Sequence, residues 1–203
     1  LGMGLALSPD GTRLARGVVG EARVEFLDIE TSEKLDSVRL DEGHGIFSFV
    51  FAPDGTRLLV SYYYLAGAPM FSDTRYRAAL VSLRDKEILA SYRNNENKRI
   101  AYAPDGSLYA VIPGGVHVYD AESFSLVCEI PVREVIAPGL AFSPDGTKLL
   151  HGPALHDART GELLREFPTD PYNSEVAYSP DGNKVAIEDT RNDTVTIWDV
   201  SDL

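Results

Sequence analysis

The sequence predicts an all-β fold, a β-propeller of four-stranded antiparallel blades, and three observations carry that expectation. One short phrase, [Ser/Ala]-Pro-Asp-Gly, occurs five times, at Ser8–Gly11, Ala52–Gly55, Ala103–Gly106, Ser143–Gly146 and Ser179–Gly182. Its prolines, at 9, 53, 104, 144 and 180, are spaced by 44, 51, 40 and 36 residues, centred on the roughly 40–45 residues of a four-stranded blade. The apolar runs between copies are short and end at Gly, Pro, Asp or Asn. That is strand patterning, whereas helical repeats of this length would show apolar residues at i, i+3 and i+4 over many positions.

The phrase has the chemistry of a tight hairpin. Proline pre-sets φ at the first corner, aspartate tolerates the second, and glycine accepts the positive φ that closes a type I turn with a bulge. Gly11, Gly55, Gly106, Gly146 and Gly182 are therefore expected at positive φ. An apolar or aromatic residue precedes each copy (Leu7, Phe51, Tyr102, Phe142, Tyr178), and a β-type run follows it.

The units fall at about 1–42, 43–93, 94–132, 133–168 and 169–203, as one propeller over 1–203. In the first, a strand ending at Leu7 is followed by 14–18, 24–28 and 35–40, with a polar loop over 28–34. The second opens with Gly43-His44 and Phe47–Phe51, and the third turns at Pro113-Gly114-Gly115. The fourth is compact: 149–151, Gly152-Pro153, 154–157, Thr160-Gly161, then 163–167. The fifth, from near Glu175, shows no fourth strand after its run to Asp199. With about 19 strands, the chain is expected either to close as five blades, the last with three strands, or to form part of a larger ring.

Gly43-His44 ahead of a turn phrase, and Thr196-Ile197-Trp198-Asp199 at the end of a third strand, resemble the WD-repeat family. That resemblance covers essentially the whole chain, but Gly-His and Trp-Asp each occur once and in different units. Elsewhere the strand-end phrase reads Phe26-Leu27-Asp28, Val118-Tyr119-Asp120 and Leu155-His156-Asp157, with Asp kept and Trp replaced. In the family a His, a Ser or Thr, a turn Asp and the Trp form a buried hydrogen-bonded set within one blade. No unit here carries all four, so the resemblance implies the turn and hairpin geometry, and a scaffold role, without that network.

Composition narrows the function classes. With 44% hydrophobic and 25% charged residues the chain reads as globular. No apolar run approaches the roughly 18 residues of a membrane span, and no signal peptide is visible at Leu1–Gly4, which gives a cytoplasmic expectation. A net charge of −12 argues against nucleic-acid binding. The lone Cys128 allows neither an internal disulfide nor a cysteine metal cluster. His44 and His117 read as structural; His151, His156 and Asp157 share a hairpin but lack an evident third ligand, so no metal is expected. No nucleophile elbow, Cys–His signature or phosphate-binding glycine loop is present. The Asp189–Asp193 loop does not match calcium-loop spacing. The chain thus reads as non-catalytic, with no cofactor.

One stretch departs from the repeat. The longest interval holds Tyr62-Tyr63-Tyr64-Leu65-Ala66-Gly67-Ala68-Pro69-Met70-Phe71-Ser72-Asp73 between the second and third strands of unit two, where a short polar turn would suffice. From Asp73 to Arg99 there are seven basic and four acidic residues, so the remainder carries −15. In a propeller the loop holding the insert and the loop at 92–99 emerge on one face. Tyr63, Tyr64, Met70, Phe71, Arg93, Lys98 and Arg99 are therefore the expected contact residues for a protein or acidic peptide, because aromatic, Met and Arg side chains favour interfaces. Self-association, or blades supplied by another chain, is a further expectation. The alternative reading is an accessory propeller of a larger enzyme or signalling protein. Far-ultraviolet circular dichroism should give a β-rich spectrum; helix near the globular average of roughly a third would contradict the propeller reading.

Overall fold

Each Pro-Asp-Gly phrase closes a hairpin by the same set of hydrogen bonds. A computed structural model of the chain describes residues 4–40, 43–66, 73–94, 99–131, 139–169, 175–189 and 192–203. The glycine N–H donates to the carbonyl three residues back, at 2.8 Å for Gly11 to Ser8 and 2.9 Å in the other four copies. All five glycines have the expected positive φ: +71°, +69°, +77°, +71° and +74°. The aspartate does more than tolerate its corner. Its carboxylate accepts the N–H two residues on, from Thr12 (3.0 Å), Thr56 (2.9 Å), Ser107 (3.0 Å), Thr147 (3.0 Å) and Asn183 (3.1 Å). Where the phrase begins with serine, the hydroxyl donates to that carboxylate and accepts an N–H five residues on, from Arg13, Lys148 or Lys184. These bonds, with the serine hydroxyl foremost, hold the Asp10 and Asp145 carboxyls down at about 2.

Among the described residues the turns organise nineteen strands into five antiparallel sheets. They are β1 (Leu5–Leu7), β2 (Arg13–Gly17), β3 (Arg23–Asp28) and β4 (Lys34–Arg39); β5 (Gly45–Phe51), β6 (Arg57–Ala66), β7 (Asp73–Ser82) and β8 (Ile88–Asn94); β9 (Ile100–Tyr102), β10 (Leu108–Val111), β11 (Val116–Asp120) and β12 (Leu126–Ile130); β13 (Leu140–Phe142), β14 (Lys148–His151), β15 (Ala154–Asp157) and β16 (Leu163–Glu166); and β17 (Val176–Tyr178), β18 (Lys184–Asp189) and β19 (Thr194–Asp199). Four sheets have four strands in simple sequence order and the last has three. No helix occurs among the described residues.

A second turn class joins the third and fourth strands. Asp28, Asp120 and Asp157 each accept two backbone N–H groups, two and three residues on, at 2.7–3.1 Å. A residue in left-handed backbone follows in each: Ser32 (φ +60°), Phe124 (+60°) and Gly161 (+75°). This explains why the Asp of the strand-end phrase persists where the Trp does not: the turn needs the carboxylate. In the second sheet Ser82 takes the position, and its hydroxyl accepts the Asp85 N–H at 3.2 Å.

The chain forms two compact units, Leu1–Ile100 and Ala101–Leu203. In the first, Val24, Phe26 and Val38 of one sheet share a core with Phe49, Phe51, Leu58, Val60 and Val81 of the next. In the second unit, Ala110, Ile112, Val116 and Val118 share a core with Phe142, Leu149 and Ala158. Leu150, Leu155 and Phe167 share another with Val185, Ile187 and Val200. Successive turns also meet. A Cβ added to Gly55 would lie 3.7 Å from Pro9, and one on Gly182 3.5 Å from Pro144.

Gly146 is the tightest of these turns, because a Cβ there would approach the Asp105 carboxylate at 2.9–3.2 Å. Asp105 cannot swing away freely, since it accepts from both the N–H and the hydroxyl of Ser107. At Gly11, also at φ +71°, the same Cβ would meet nothing within 4 Å. Gly146→Val should therefore lower the denaturant midpoint by the equivalent of more than about 1 kcal/mol. Gly11→Val, which carries the backbone strain alone, should cost less.

Candidate contact surface on the second sheet

The oversized insert of the second unit is mostly strand. β6 and β7 are ten residues each and stay paired from Arg57↔Ser82 out to Ala66↔Asp73. The sequence pattern sets the stretch from Tyr62 to Asp73 between the second and third strands; pairing with β7 carries the strand on to Ala66. The flanking strands stop sooner. β5 reaches Tyr63 through Gly45, and β8 reaches Tyr76 through Asn94. The rungs Tyr64↔Arg75, Leu65↔Thr74 and Ala66↔Asp73 thus project beyond the sheet as a two-stranded finger.

His44 braces the base of this finger. Its N–H donates to the Tyr63 carbonyl at 2.8 Å, and its ring Nδ1 accepts the Leu65 N–H at 3.2 Å. Gly45 leaves room for the adjoining ring: a Cβ there would lie 2.6 Å from the Tyr63 ring.

Alternation along the strands splits the expected residues between two faces. Tyr63 lies with Phe47 and Tyr76 on one face, at ring separations of 5.0 Å (Phe47–Tyr63) and 5.4 Å (Phe47–Tyr76). Tyr64 lies on the other with Arg75 and Arg77, and the Arg77↔Arg93 pairing adds Arg93 to that face. The Arg77 guanidinium sits 5.2 Å from the Tyr64 ring centre. Hydrogen bonding from Arg77, and secondarily Arg75, lowers the Tyr64 phenol below its ordinary value. Tyr62, two residues inward on the same face, is buried in the core, so this face runs from core to a basic, aromatic rim. Leu65 remains 42% exposed.

Of the expected contact residues, the structure therefore brings Tyr64 and Arg93 together and turns Tyr63 to the opposite side. Met70, Phe71 and Lys98 lie outside the described residues. Arg99 is half-buried just ahead of β9. Arg75, Arg77, Phe47 and Tyr76 were missed in the sequence because only the strand register reveals which side chains stand beside Tyr63 and Tyr64. Arg84 and Lys86, counted in the same basic window, sit at the opposite end of the sheet near the β7–β8 turn, where Lys86 pairs with Asp36 at 2.8 Å.

The histidines of the fourth sheet are buried. His151 and His156 are 7% and 8% exposed, on one face by the Leu149↔His156 register, and His156 Nδ1 lies 3.1 Å from the Gly161 carbonyl. Among the described residues no three His, Cys, Asp or Glu side chains are placed to hold a metal ion. Cys128 is half-buried with its Sγ 3.6 Å from the Ala158 carbonyl, and burial, then the Asp157 charge, raises its pKa. Asp189 accepts from Asn192 within its own turn. Trp198 packs on Phe167 at 5.5 Å, and among the described residues its buried indole N–H has no hydrogen-bond partner.

No protein-family model matches the chain, and no curated protein matches it in sequence. Solved structures do, in 1041 chains. One is Kuenenia stuttgartiensis hydrazine synthase, a β-propeller-containing protein, with a TM-score of 0.74 and 18% identity over 98% of this chain and 71% of that one. The fold is all-β and propeller-like. A likeness shared so widely does not select a function.

Burial, with the neighbouring His156 charge second, pushes His151 down to about 4, and burial lowers His156 as well. The folded state thus resists protons that the unfolded chain binds below about 6.5. Stability should fall as pH drops from about 6.5 to about 4, by on the order of 3 kcal/mol for His151; the histidine contribution is complete below that, where protonation of the depressed Asp10 and Asp145 carboxyls continues the loss. Urea midpoints across this range should show the loss, and His151→Gln should remove the larger part of it.

Proposed function

We propose that the chain is a non-catalytic binding scaffold of WD-repeat type, and that the β6–β7 finger is its contact surface for an acidic protein segment. The observation that carries this reading is the basic, aromatic rim of Tyr64, Arg75, Arg77 and Arg93 on a hairpin projecting beyond its sheet, in a chain of net charge −12. Planar guanidinium groups beside an aromatic ring suit carboxylates approaching in an extended peptide. The Phe47, Tyr63 and Tyr76 rings supply apolar contact on the other side. His44 and the continuous ladder keep the finger ordered before binding, which limits the entropy lost on association.

The second reading, an accessory propeller of a larger enzyme, draws on the likeness to a hydrazine synthase chain. The finger would then meet the catalytic part rather than a separate partner.

A Tyr64→Ala, Arg93→Ala double variant should weaken binding to Glu/Asp-rich peptides by at least about tenfold, since interface energy concentrates in such residues. Its thermal midpoint should stay near that of the parent chain, because both side chains stand at the rim. Binding of the parent should also weaken with added salt. Unchanged binding by the variant would move the contact surface elsewhere.

A further inference from the structure

The turn phrases place five Asp-Gly peptide bonds in the chain, at Asp10-Gly11, Asp54-Gly55, Asp105-Gly106, Asp145-Gly146 and Asp181-Gly182. Such a bond rearranges by itself. The glycine nitrogen attacks the aspartate Cγ, a C–N bond forms, and the carboxyl hydroxyl leaves as water with the amide proton. Water then opens the five-membered imide at either carbonyl. Opening at the α-carbonyl leaves the backbone running through the former side chain, as isoaspartate. Glycine is the residue that permits this best, because no Cβ shields its nitrogen.

The folded turn holds the two reacting groups apart. The glycine N–H is engaged with the carbonyl three residues back, and the carboxylate accepts the N–H two residues on. The turn must therefore open before the imide can close, so the rate follows the population of the open turn. All five phrases share the proline, the glycine at positive φ and an exposed aspartate. They differ in the first residue.

Three copies begin with serine. The hydroxyls of Ser8, Ser143 and Ser179 donate to Asp10, Asp145 and Asp181. Each also accepts an N–H at 2.9 Å, from Arg13, Lys148 and Lys184 respectively. One hydroxyl thus ties the carboxylate to the start of the following strand. It also favours the charged carboxylate, whereas the protonated acid is the form that gives up water. The other two copies begin with alanine. Asp54 and Asp105 keep their bonds to Thr56 and Ser107, but Ala52 and Ala103 have no hydroxyl to span the turn. A hydrogen bond to a charged group is worth about tenfold or more in an equilibrium.

We propose that Asp54 and Asp105 are modification sites, isomerising to isoaspartate in the folded chain ahead of the other three turn aspartates and making the protein a substrate for carboxyl-methylating repair. In that repair the methyl of S-adenosylmethionine passes to the new α-carboxylate, leaving S-adenosylhomocysteine, and the ester re-forms the imide with loss of methanol. The lesion adds a methylene to the backbone of a turn whose geometry the carboxylate sets. At Asp105 it also reaches the next turn, since that carboxylate lies 2.9–3.2 Å from where a Cβ on Gly146 would stand. The inference is independent of the β6–β7 finger.

Ageing the 203-residue chain at neutral pH and mapping isoaspartate by electron-transfer fragmentation of its peptides tests this. Isoaspartate should accumulate at Asp54 and Asp105 at least about tenfold faster than at Asp10, Asp145 and Asp181. Labelled methyl groups transferred by an isoaspartyl methyltransferase should map to the same two sites. Ala103→Ser supplies the missing hydroxyl at a position buried like Ser8 and Ser143; it should slow Asp105 about tenfold and leave Asp54 unchanged. Ser143→Ala should speed Asp145 by a like factor, and both variants should keep the parent circular dichroism. In urea the five rates should converge, because the residues flanking each bond are alike. Equal rates in the folded chain overturn the proposal, as does isoaspartate missing from Asp54 and Asp105. So does a rate that either variant leaves unchanged, or the same ranking persisting in urea.

Discussion

The interior sheets of this protein hide apolar residues on both faces, and that constraint shapes the rest. Burying both faces removes more apolar surface from water than burying one, which helps offset the cost of ordering the chain. The interior strands accordingly bury successive residues rather than alternate ones: Leu58, Leu59 and Val60, and all of Leu108–Val111, are 0% exposed. Such a sheet is stable only between neighbours. The cores of the two units are accordingly shared by successive sheets, Phe26 meeting Phe51 and Leu155 meeting Val185.

The turns make that stacking repeatable. Each phrase combines a preset proline, a carboxylate that collects backbone N–H groups, and a glycine at positive φ, so strand entry and exit are the same in each sheet. The turns also sit close enough to sense one another, as Gly146 and Asp105 show. A second carboxylate turn, at Asp28, Asp120 and Asp157, fixes the return to the fourth strand. The aspartates that look like a remnant of a signature phrase are therefore explained by local hydrogen bonding. Trp198, whose buried indole N–H finds no partner among the described residues, contributes through its contact with Phe167 instead.

The second sheet breaks the pattern in one direction only. Its hairpin keeps the repeat's register and lengthens it, so the extra residues leave the core along the strand axis and carry their alternation with them. Tyr62 is core, and Tyr64, on the same face, is rim beside Arg75, Arg77 and Arg93. A rigid scaffold with one projecting, differently charged element concentrates recognition chemistry where it costs the fold least.

The sequence by itself determined the strand count, the five turn geometries and the sign of φ at their glycines, because these depend on residues adjacent in the chain. It also marked the stretch that departs from the repeat, through its length, its aromatic content and its charge. Tertiary structure alone decided which side chains share a face, since a one-residue difference in register moves a side chain across the sheet. That is why Tyr63 and Tyr64, neighbours in sequence, stand on opposite sides, and why Arg75 and Arg77 joined the site unforeseen.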